Sequence, residues 1–284
     1  MFQNVIGAAE GDSIADKALK EFEEFTEVLR AKDIGFFVFD DTTFPVKPDA
    51  IFPNNWITFH ADGTVILYPM LALNRRIERR PDIIEALSKS FEVKKIIDLT
   101  FYEKENKFLE GTGSVVFDHQ NKIAYACLSP RTHKDIFIEL TYILGYKPIY
   151  FHAHDQLHRD IYHTNVMMCI GEGFTVICLE CIIDEKERAM IVEVLKKSGH
   201  EIIDISLSQV GYFAGNMLCL KSKNNRNFLI MSQSAFDSLT ESQRTTLEKY
   251  SELLPVNIKT IETVGGGSAR CMISEINLPA KNIN

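Results

Sequence analysis

The sequence has no excess of basic residues: its 284 residues include 31 Lys and Arg against 39 Asp and Glu, a net charge of −8. Nucleic-acid binders generally neutralise phosphates with surplus Lys and Arg, so this balance disfavours that class. Long hydrophobic runs are missing as well. The least charged stretch, residues 162–183, contains His163, Glu172 and Glu180, and it predicts two short strands instead of a membrane span.

No secretory signal is expected, since residues 1–20 contain no basic segment followed by an apolar one. The six cysteines are therefore expected to be reduced thiols of a cytoplasmic protein. Cys178 and Cys181 form a CxxC pair, but no second pair or nearby His follows at zinc-site spacing. Buried structural cysteines are the preferred interpretation of that pair.

What the sequence does contain is a repeat: a strand, a polar turn, a second strand, a helix and a third strand. The first strands begin at residues 56, 114, 165 and 216, and a fifth start follows at 271, so the spacings are 58, 51, 51 and 55 residues. The four complete copies are predicted as strands 56–60, 64–68 and 93–99 with helix 80–90; strands 114–117, 122–127 and 147–151 with helix 134–144; strands 165–170, 174–179 and 201–205 with helix 185–198; and strands 216–221, 227–231 and 256–261 with helix 233–250.

The fifth unit is divided between the two ends of the chain. Its first strand is predicted at 272–276, its helix at 13–32 with Asp12 or Ser13 as N-cap, and its last strand at 35–40. One strand is missing: either Val5–Ala8 supplies a short substitute, or the chain begins later than its relatives do. The expected fold class is α/β, a single domain of residues 1–284 with five ββαβ units in a ring, the fifth one split. An open ring would expose a strand edge and favour a homodimer.

Unusual residues occupy the entry to the first strand of several units. These entries include Glu110-Gly-Thr-Gly113, His163-Thr-Asn165 and Gly265-Gly-Gly-Ser-Ala-Arg-Cys271. Equivalent positions of a ring converge near its axis, so Glu110, His163 and Cys271 are expected to meet although up to 161 residues separate them. Together they supply a carboxylate, a general acid/base and a nucleophile. Each has an ordinary structural explanation when taken singly, and their coincidence at equivalent positions favours a site.

These motifs, in this order, resemble the guanidino-group-modifying superfamily with the pentein fold, which includes arginine deiminases, dimethylarginine hydrolases and amidinotransferases. Phe52-Pro-Asn-Asn-Trp56 and Tyr162-His-Thr-Asn165 make the chain most similar to a bacterial branch of citrulline-utilisation hydrolases and arginine-deiminase-related proteins. The resemblance implies that Cys271 forms a covalent adduct with the substrate carbon, that His163 moves protons and activates the hydrolytic water, and that Glu110 holds substrate nitrogens. No metal and no cofactor are implied.

The chain departs from the arginine-processing pattern at Asn55 and Asn165, two positions where deiminases usually carry Asp. Two amides remove two negative charges and add N–H donors, which suits the carbonyl oxygen of a neutral ureido group such as that of citrulline. Arg131, in a turn similar to the family's carboxylate-binding turn, is the expected anchor for the substrate carboxylate. The expected substrate-binding residues are Asn55, Gly113, Arg131, Asn165 and Asn216.

Three further arginines are weaker candidates for a role at the site. Arg75 and Arg76 are secondary candidates for the carboxylate anchor, but the run 75–80 is more typical of a solvated loop and helix start. Arg270 precedes Cys271 and either stabilises the thiolate or, as strand alternation favours, points away from it.

Other functions stay open at the level of the sequence. The chain is alternatively an arginine deiminase or methylarginine hydrolase that tolerates Asn, or an amidinotransferase that passes its group to an amine. A non-catalytic, ribosome-binding propeller is the alternative of another class. The filled Cys, His and Glu positions and the acidic charge disfavour that last possibility.

Overall fold

The computed structural model describes residues 13–281, and within that range strands and helices alternate along the chain. The strands are β1 (Ile57–Phe59), β2 (Thr64–Leu67), β3 (Lys95–Asp98), β4 (Val116–Asp118), β5 (Ile123–Cys127), β6 (Lys147–Phe151), β7 (Met168–Gly171), β8 (Phe174–Ile177), β9 (Glu201–Asp204), β10 (Leu218–Lys221), β11 (Asn227–Ser232) and β12 (Glu252–Val256). The α-helices are α1 (Ile14–Ala31), α2 (Pro81–Ser88), α3 (Gly111–Ser114), α4 (Lys134–Leu144), α5 (Glu185–Lys197), α6 (Leu207–Val210), α7 (Gln233–Ser238), α8 (Glu241–Glu248) and α9 (Lys259–Gly265).

Within residues 13–281 the strands form four separate three-stranded sheets, β1–β3, β4–β6, β7–β9 and β10–β12. In each sheet the first strand pairs antiparallel with the second, and the second pairs parallel with the third. A short turn joins each antiparallel pair, whereas a helical crossover joins each parallel pair, as parallel strands require. The predicted ββαβ repeat is therefore confirmed for four units.

Helix α1 begins where the sequence predicted, and Ser13 is the residue that caps it. The Ser13 side chain accepts the N–H of Asp16 at 3.1 Å, while the Asp16 carboxylate accepts the N–H of Ser13 at 3.1 Å. This reciprocal capping box satisfies N–H groups that the first helical turn leaves without partners. Phe25 and Leu29, four residues apart, are buried on one face of the helix.

The fourth unit contains two helices where one was expected at 233–250. Helix α7 ends at Ser238, and α8 begins after Thr240, whose side chain accepts the N–H of Gln243 at 3.2 Å. The Gln243 side chain in turn accepts the N–H of Thr240 at 2.9 Å. A second capping box in the middle of the predicted helix therefore explains the break.

The prediction of a strand at 256–261 is wrong. Strand β12 ends at Val256 and pairs parallel with β11, and helix α9 follows from Lys259. The carboxylate of Glu21, in α1, accepts the N–H groups of Thr260 and Ile261 at 2.8 and 3.0 Å. These two bonds satisfy the first N–H groups of α9 and so stabilise a helix where the apolar residues alone favoured a strand.

The fifth unit also differs from its prediction, because the segments 35–40 and 272–276 are not strands. Their ladder pairing is limited to an isolated bridge between Phe59 and Ile276. Both segments line a cavity of about 1080 Å³, and apart from that single bridge to β1 no strand of the described range pairs with either of them. A strand persists only where neighbours satisfy its backbone groups, so these segments stay irregular. The expected substitute strand, Val5–Ala8, lies outside the described residues.

The units share their hydrophobic cores. One cluster of buried side chains includes Tyr125 of β5, Phe174 of β8 and Leu229 of β11, which belong to three different units. Contacts between β4 and β7 and between β7 and β10 join the same units at their first strands. In the described part of the chain no helix is both long and apolar enough to cross a membrane.

Candidate active site

The entries to the first strands form short turns that approach one another. Pro53–Asn55 and Thr164–Val166 are 3-10 turns, and Gly111–Ser114 forms the single turn of α3, which contacts both of them. The entry that contains Cys271 is a turn as well. The predicted convergence of these positions is therefore observed, and most of the side chains there are buried.

Glu110 and His163 form a buried hydrogen bond at the centre of this cluster. His163 Nε2 lies 2.7 Å from Glu110 Oε2. The carboxylate also accepts the N–H of Leu71 at 2.9 Å and a bond from Arg131 Nη1 at 3.2 Å. Every oxygen of the carboxylate therefore has a donor, which is what a buried charge requires.

The surroundings determine the protonation of this pair. Burial by itself favours the neutral acid of Glu110, but the hydrogen bond and charge of His163 and the charge of Arg131 outweigh burial and lower the pKa of Glu110 to about 2. Burial also lowers the pKa of His163, against the opposing effect of Glu110. At neutral pH the pair is therefore a carboxylate beside a neutral imidazole.

The neutral imidazole has a definite orientation of donor and acceptor. Because Nε2 faces a carboxylate that only accepts, Nε2 holds the hydrogen and Nδ1 keeps its lone pair. Nδ1 points towards Gly113: a Cβ added there would lie 2.8 Å from His163 Nδ1 and 2.4 Å from Asn55 Nδ2. Because Gly113 has no side chain, a space stays open beside two atoms, the acceptor Nδ1 of His163 and the donor Nδ2 of Asn55.

Cys271 lies between two asparagine amides. Its sulfur is 3.3 Å from Nδ2 of Asn216 and 3.6 Å from Nδ2 of Asn165. The Asn216 amide is held by two backbone bonds, since its Oδ1 accepts the N–H of Arg270 at 3.1 Å and its Nδ2 donates to the carbonyl of Asn165 at 3.0 Å. Two amide N–H donors are therefore directed at the sulfur, and a cysteine reacts as a nucleophile through its thiolate form.

The other cysteines differ from Cys271 in their surroundings. Burial raises the pKa of Cys127 and of Cys169 to about 12, so both thiols are protonated at neutral pH. Cys178 and Cys181 are free and fully buried, in agreement with their interpretation as structural residues. The Cys271 sulfur, in contrast, lies 3.6 Å from Nδ2 of Asn165, two residues after His163.

Several amide atoms of the cluster have no hydrogen-bond partner within residues 13–281. These atoms are Nδ2 of Asn55, Oδ1 of Asn165, and both Nδ2 and Oδ1 of Asn54. A buried polar group without a partner costs free energy, and such groups are rare in folded proteins. The unpaired atoms of Asn55 and Asn165 are therefore available to a polar ligand at the site.

Arg131 and Tyr162 form the more exposed edge of the cluster, the mouth of the candidate site. The side chain of Arg131 is 32% exposed, and Tyr162 as a whole residue is 41% exposed. Glu110, His163 and Cys271 are buried. The Arg131 guanidinium lies over the Tyr162 ring, and the Tyr162 hydroxyl donates to the carbonyl of Gly266 at 3.2 Å. A partly exposed cationic group beside buried reactive groups suits a ligand with a carboxylate at its outer end.

The structure corrects the interpretation of Arg75. The prediction placed residues 75–80 in a solvated loop, but Arg75 is buried, pairs with Glu78 at 2.9 Å, and donates to Asn55 Oδ1 at 2.8 Å. The spacing of Arg75 and Glu78, three residues apart, was the available sequence indication of this pair. Arg270 points away from the thiol, as strand alternation favoured, since its guanidinium bonds to Glu275 at 2.7 Å.

Sequence reasoning did not single out Tyr162 or Asn54 as site residues. Tyr162 directly precedes His163, so its position beside a candidate catalytic residue was the only indication of its place at the mouth. In residues 13–281, no cluster of three His, Cys, Asp or Glu side chains has an arrangement suited to a metal ion. The large cavity described above lies at the split unit and is not lined by Glu110, His163 or Cys271.

Comparison with known proteins gives both a family and a fold. Residues 1–278 match the model of the family described as N,N dimethylarginine dimethylhydrolase, eukaryotic. No curated protein matches the sequence. Among solved structures, the substrate-bound N-terminal domain of ArgZ, an arginine dihydrolase from cyanobacteria, superposes with a TM-score of 0.70 at 16% identity, covering 92% of this chain and 88% of that one.

Two further solved structures share this fold. Unliganded AgrE gives a TM-score of 0.73 at 19% identity, and the match covers 94% of this chain but only 36% of AgrE. A dimethylarginine dimethylaminohydrolase, solved as an adduct with S-methyl-L-thiocitrulline, gives 0.63 at 16% identity, with 90% of this chain and 87% of that one covered. At these identities the likeness establishes a shared fold.

The chain is therefore a hydrolase of the pentein superfamily, whose members act on C–N bonds of guanidino groups. Within that superfamily it belongs to the family of N,N-dimethylarginine dimethylhydrolases of the eukaryotic type. The predicted superfamily is confirmed. For the architecture, the described residues establish four three-stranded mixed sheets in a pentein-type fold.

Proposed function

We propose that this enzyme hydrolyses a C–N bond of a ureido or guanidino group on an arginine-like amino acid, with citrulline as the favoured substrate. In this proposal Cys271 is the nucleophile, His163 the general acid/base, and Glu110 the residue that orients His163 and binds substrate nitrogen. The observation on which the proposal depends is the buried cluster in which His163 bonds Glu110 at 2.7 Å and Asn165 connects to the Cys271 sulfur at 3.6 Å. ArgZ, which has the same fold, has also been solved with a reaction intermediate bound covalently.

In the proposed reaction, the thiol proton of Cys271 passes to Nδ1 of His163, and the thiolate adds to the ureido carbon. The bond from that carbon to the ornithine nitrogen breaks as this nitrogen takes the proton from His163. Nδ1 of His163 then takes a proton from water, whose oxygen adds to the thiocarbamate carbon; the C–S bond breaks and the proton passes to the sulfur, which restores the thiol and releases carbamic acid. Carbamic acid breaks down to ammonia and carbon dioxide, so citrulline and one water molecule give ornithine, ammonia and carbon dioxide.

The preference for a ureido group is based on charge and hydrogen-bond type. One carboxylate, Glu110, faces the site, and Arg131 partly neutralises it at 3.2 Å. Asn55 and Asn165 add amides in place of further carboxylates; the free Nδ2 of Asn55 is a donor and the free Oδ1 of Asn165 is an acceptor. A neutral ureido group has both a carbonyl acceptor and N–H donors and so suits both atoms, whereas a guanidinium only donates.

Arginine or a methylated arginine is the second candidate substrate. The ionised Glu110, with a pKa of about 2, still offers one buried negative charge to a guanidinium. Family membership and the arginine dihydrolase ArgZ support the same candidate. In either case Arg131 at the mouth is the proposed partner of the substrate carboxylate, with Gly113 and Asn216 as further residues of the binding site.

The remaining expectations stay predictions. A fifth unit that closes a ring, a single domain, a cytoplasmic location and a homodimer are parts of this proposal, and so are the roles of the individual site residues. An amidinotransferase would use the same residues and differ only in the acceptor of the transferred group. The ribosome-binding alternative is disfavoured by membership of a hydrolase family.

The test is turnover of defined substrates by the purified protein. Citrulline, arginine and N,N-dimethylarginine are incubated separately with wild type and with Cys271→Ala, and amino acids, ammonia and dimethylamine are quantified. Ornithine formed from citrulline by wild type alone supports the ureido preference. Citrulline formed from arginine or dimethylarginine would show that a guanidinium is accepted and would contradict it. A folded wild type that converts none of the three would contradict the proposed function itself.

A further inference from the structure

Arg75 connects the segment 73–78 to the candidate site and is itself firmly held. Its Nη1 donates to Asn55 Oδ1 at 2.8 Å. Its Nε and Nη2 donate to the two oxygens of the Glu78 carboxylate at 3.0 and 2.9 Å, and Nη2 also donates to the carbonyl of Phe52 at 3.3 Å. Burial opposes the charge of this guanidinium, but Glu78 and Asp49 outweigh it and raise the pKa of Arg75. A fixed cation with donors on every nitrogen therefore contacts Asn55.

The contact decides which end of the Asn55 amide faces the site. A guanidinium has no acceptor, so it bonds only to the oxygen of the amide. The Nδ2 end is consequently turned towards Gly113 and the Nδ1 atom of His163, and it has no partner within the described residues. Turning the amide over would place Nδ2 against the donors of Arg75 and lose a bond to a charged group.

We propose that Arg75 is a positioning residue that makes the enzyme prefer a ureido to a guanidino group, by holding Asn55 with its N–H donors towards the substrate. This inference rests on the proposed function. A ureido carbonyl accepts from Nδ2, whereas a guanidinium presents only N–H groups and would leave donors facing donors. Without Arg75 the amide is free to rotate and offer Oδ1, which accepts from a guanidinium.

The test is the ratio of kcat/KM for citrulline to kcat/KM for arginine. Arg75→Met is combined with Glu78→Gln, because removing one member would leave a buried charge alone. The matched control is Arg79→Met with Glu103→Gln, a neighbouring ion pair of 2.5 Å that does not contact Asn55. We expect the ratio to fall at least about tenfold in the first variant, the factor typical of losing one good hydrogen bond, and to change less than about twofold in the control.

A double-mutant cycle separates positioning from a general structural effect. If Arg75 acts through Asn55, the Arg75/Glu78 change will not alter the ratio further in an Asn55→Ala background. The single variant Arg75→Lys, which keeps the charge beside Glu78 but lacks the planar fork, is expected to lower the ratio in the same direction. An unchanged ratio in the Arg75 variants, or an equal fall with and without Asn55, would overturn the inference.

Failure of the inference is distinguishable from failure of the proposed function. Calorimetric titration of Cys271→Ala with citrulline and with arginine measures binding without turnover. If folded Cys271→Ala binds neither amino acid and wild type converts neither, the proposed function is wrong and the inference falls with it. If wild type prefers citrulline and the Arg75 variants keep that preference, only the positioning role of Arg75 is overturned.

Discussion

The protonation of one buried pair sets the chemistry available at the candidate site. Glu110 is ionised because it accepts bonds from Leu71, Arg131 and His163, and His163 is neutral because burial disfavours its cation. An imidazole with a free Nδ1 lone pair is therefore present before any substrate binds. The thiol of Cys271, bordered by amide donors, completes a set of groups suited to covalent hydrolysis.

The lowered pKa of His163 predicts the acid side of the pH–rate profile. Protonation removes the Nδ1 lone pair, so kcat/KM falls as the pH drops through the pKa of His163. Because that pKa lies below the ordinary value of 6.5, the midpoint of the fall is expected below pH 6.5. Initial rates with citrulline at low concentration from pH 4.5 to 8 measure it. A midpoint at or above 6.5 would contradict the neutral imidazole described here.

Gly113 is predicted to tolerate no side chain. In Gly113→Ala the added Cβ would press against Asn55 Nδ2 and His163 Nδ1, at 2.4 and 2.8 Å, so we expect kcat/KM to fall at least 100-fold. Gly35→Ala is the matched control, since a Cβ there meets no atom within 4 Å. Steady-state kinetics of both variants and circular dichroism of their folded state give the comparison. Equal activities would show that the site has room at Gly113.

At the scale of elements, the first helix of the structure stabilises the segment that leads into Cys271. Glu21 of α1 caps the N-terminus of α9, and the chain runs from α9 through the glycines at 265–267 to the candidate nucleophile. Inside that segment, Ser268 Oγ donates to Glu262 Oε1 at 2.6 Å. Residues near the two ends of the sequence thus position one loop together.

Removal of the Glu21 carboxylate is expected to destabilise the protein. Glu21→Ala leaves the N–H groups of Thr260 and Ile261 without their partner, which costs about 1–2 kcal/mol for a lost helix cap. Glu24→Ala, on the exposed side of the same helix, keeps the change in helix propensity and removes no such bond. Urea unfolding of the two variants measures the difference. Equal free energies of unfolding would mean that the α1–α9 contact contributes nothing to stability.

At the scale of the whole molecule, the units are not independent bodies. The cluster with Tyr125, Phe174 and Leu229 takes side chains from three units, so no one of these units can unfold without exposing its neighbours' core. This shared burial is the physical basis for expecting a single domain. A second cluster joins Ile66 of β2 to Ala126 of β5, so the first unit, which contains the only tryptophan, Trp56, is coupled to the other three.

Phe174→Ala, in the third unit, is expected to destabilise the first unit as much as the rest of the protein. Truncating this fully buried ring costs about 3–5 kcal/mol, and Trp56 fluorescence and far-ultraviolet circular dichroism should shift together in urea. Tyr142→Ala, which removes an aromatic ring that is 87% exposed, is the matched control and should shift neither curve appreciably. If the urea midpoint of the Trp56 fluorescence curve stays unchanged while the midpoint of the dichroism curve falls, the units unfold separately.

The sequence predicted the parts of the fold that depend on local periodicity. Helix 134–144 and strand 147–151 have the predicted bounds, because alternation and amphipathic spacing are properties of neighbouring residues. It failed where distant residues decide: Glu21 makes α9 a helix across more than 200 positions, and segments 35–40 and 272–276 stay irregular for want of pairing within the described range.

The candidate site divides in the same way. Repetition in the sequence was sufficient to predict that Glu110, His163 and Cys271 lie near one another, because equivalent positions of repeated units occupy equivalent places in space. Only the tertiary structure decided how these side chains are oriented and charged, since pKa values and amide orientations depend on burial and on partners far away in sequence. Arg75 is the clearest example: as a sequence residue it belonged to a charged loop, and in the fold it is buried against Glu78 and fixes Asn55.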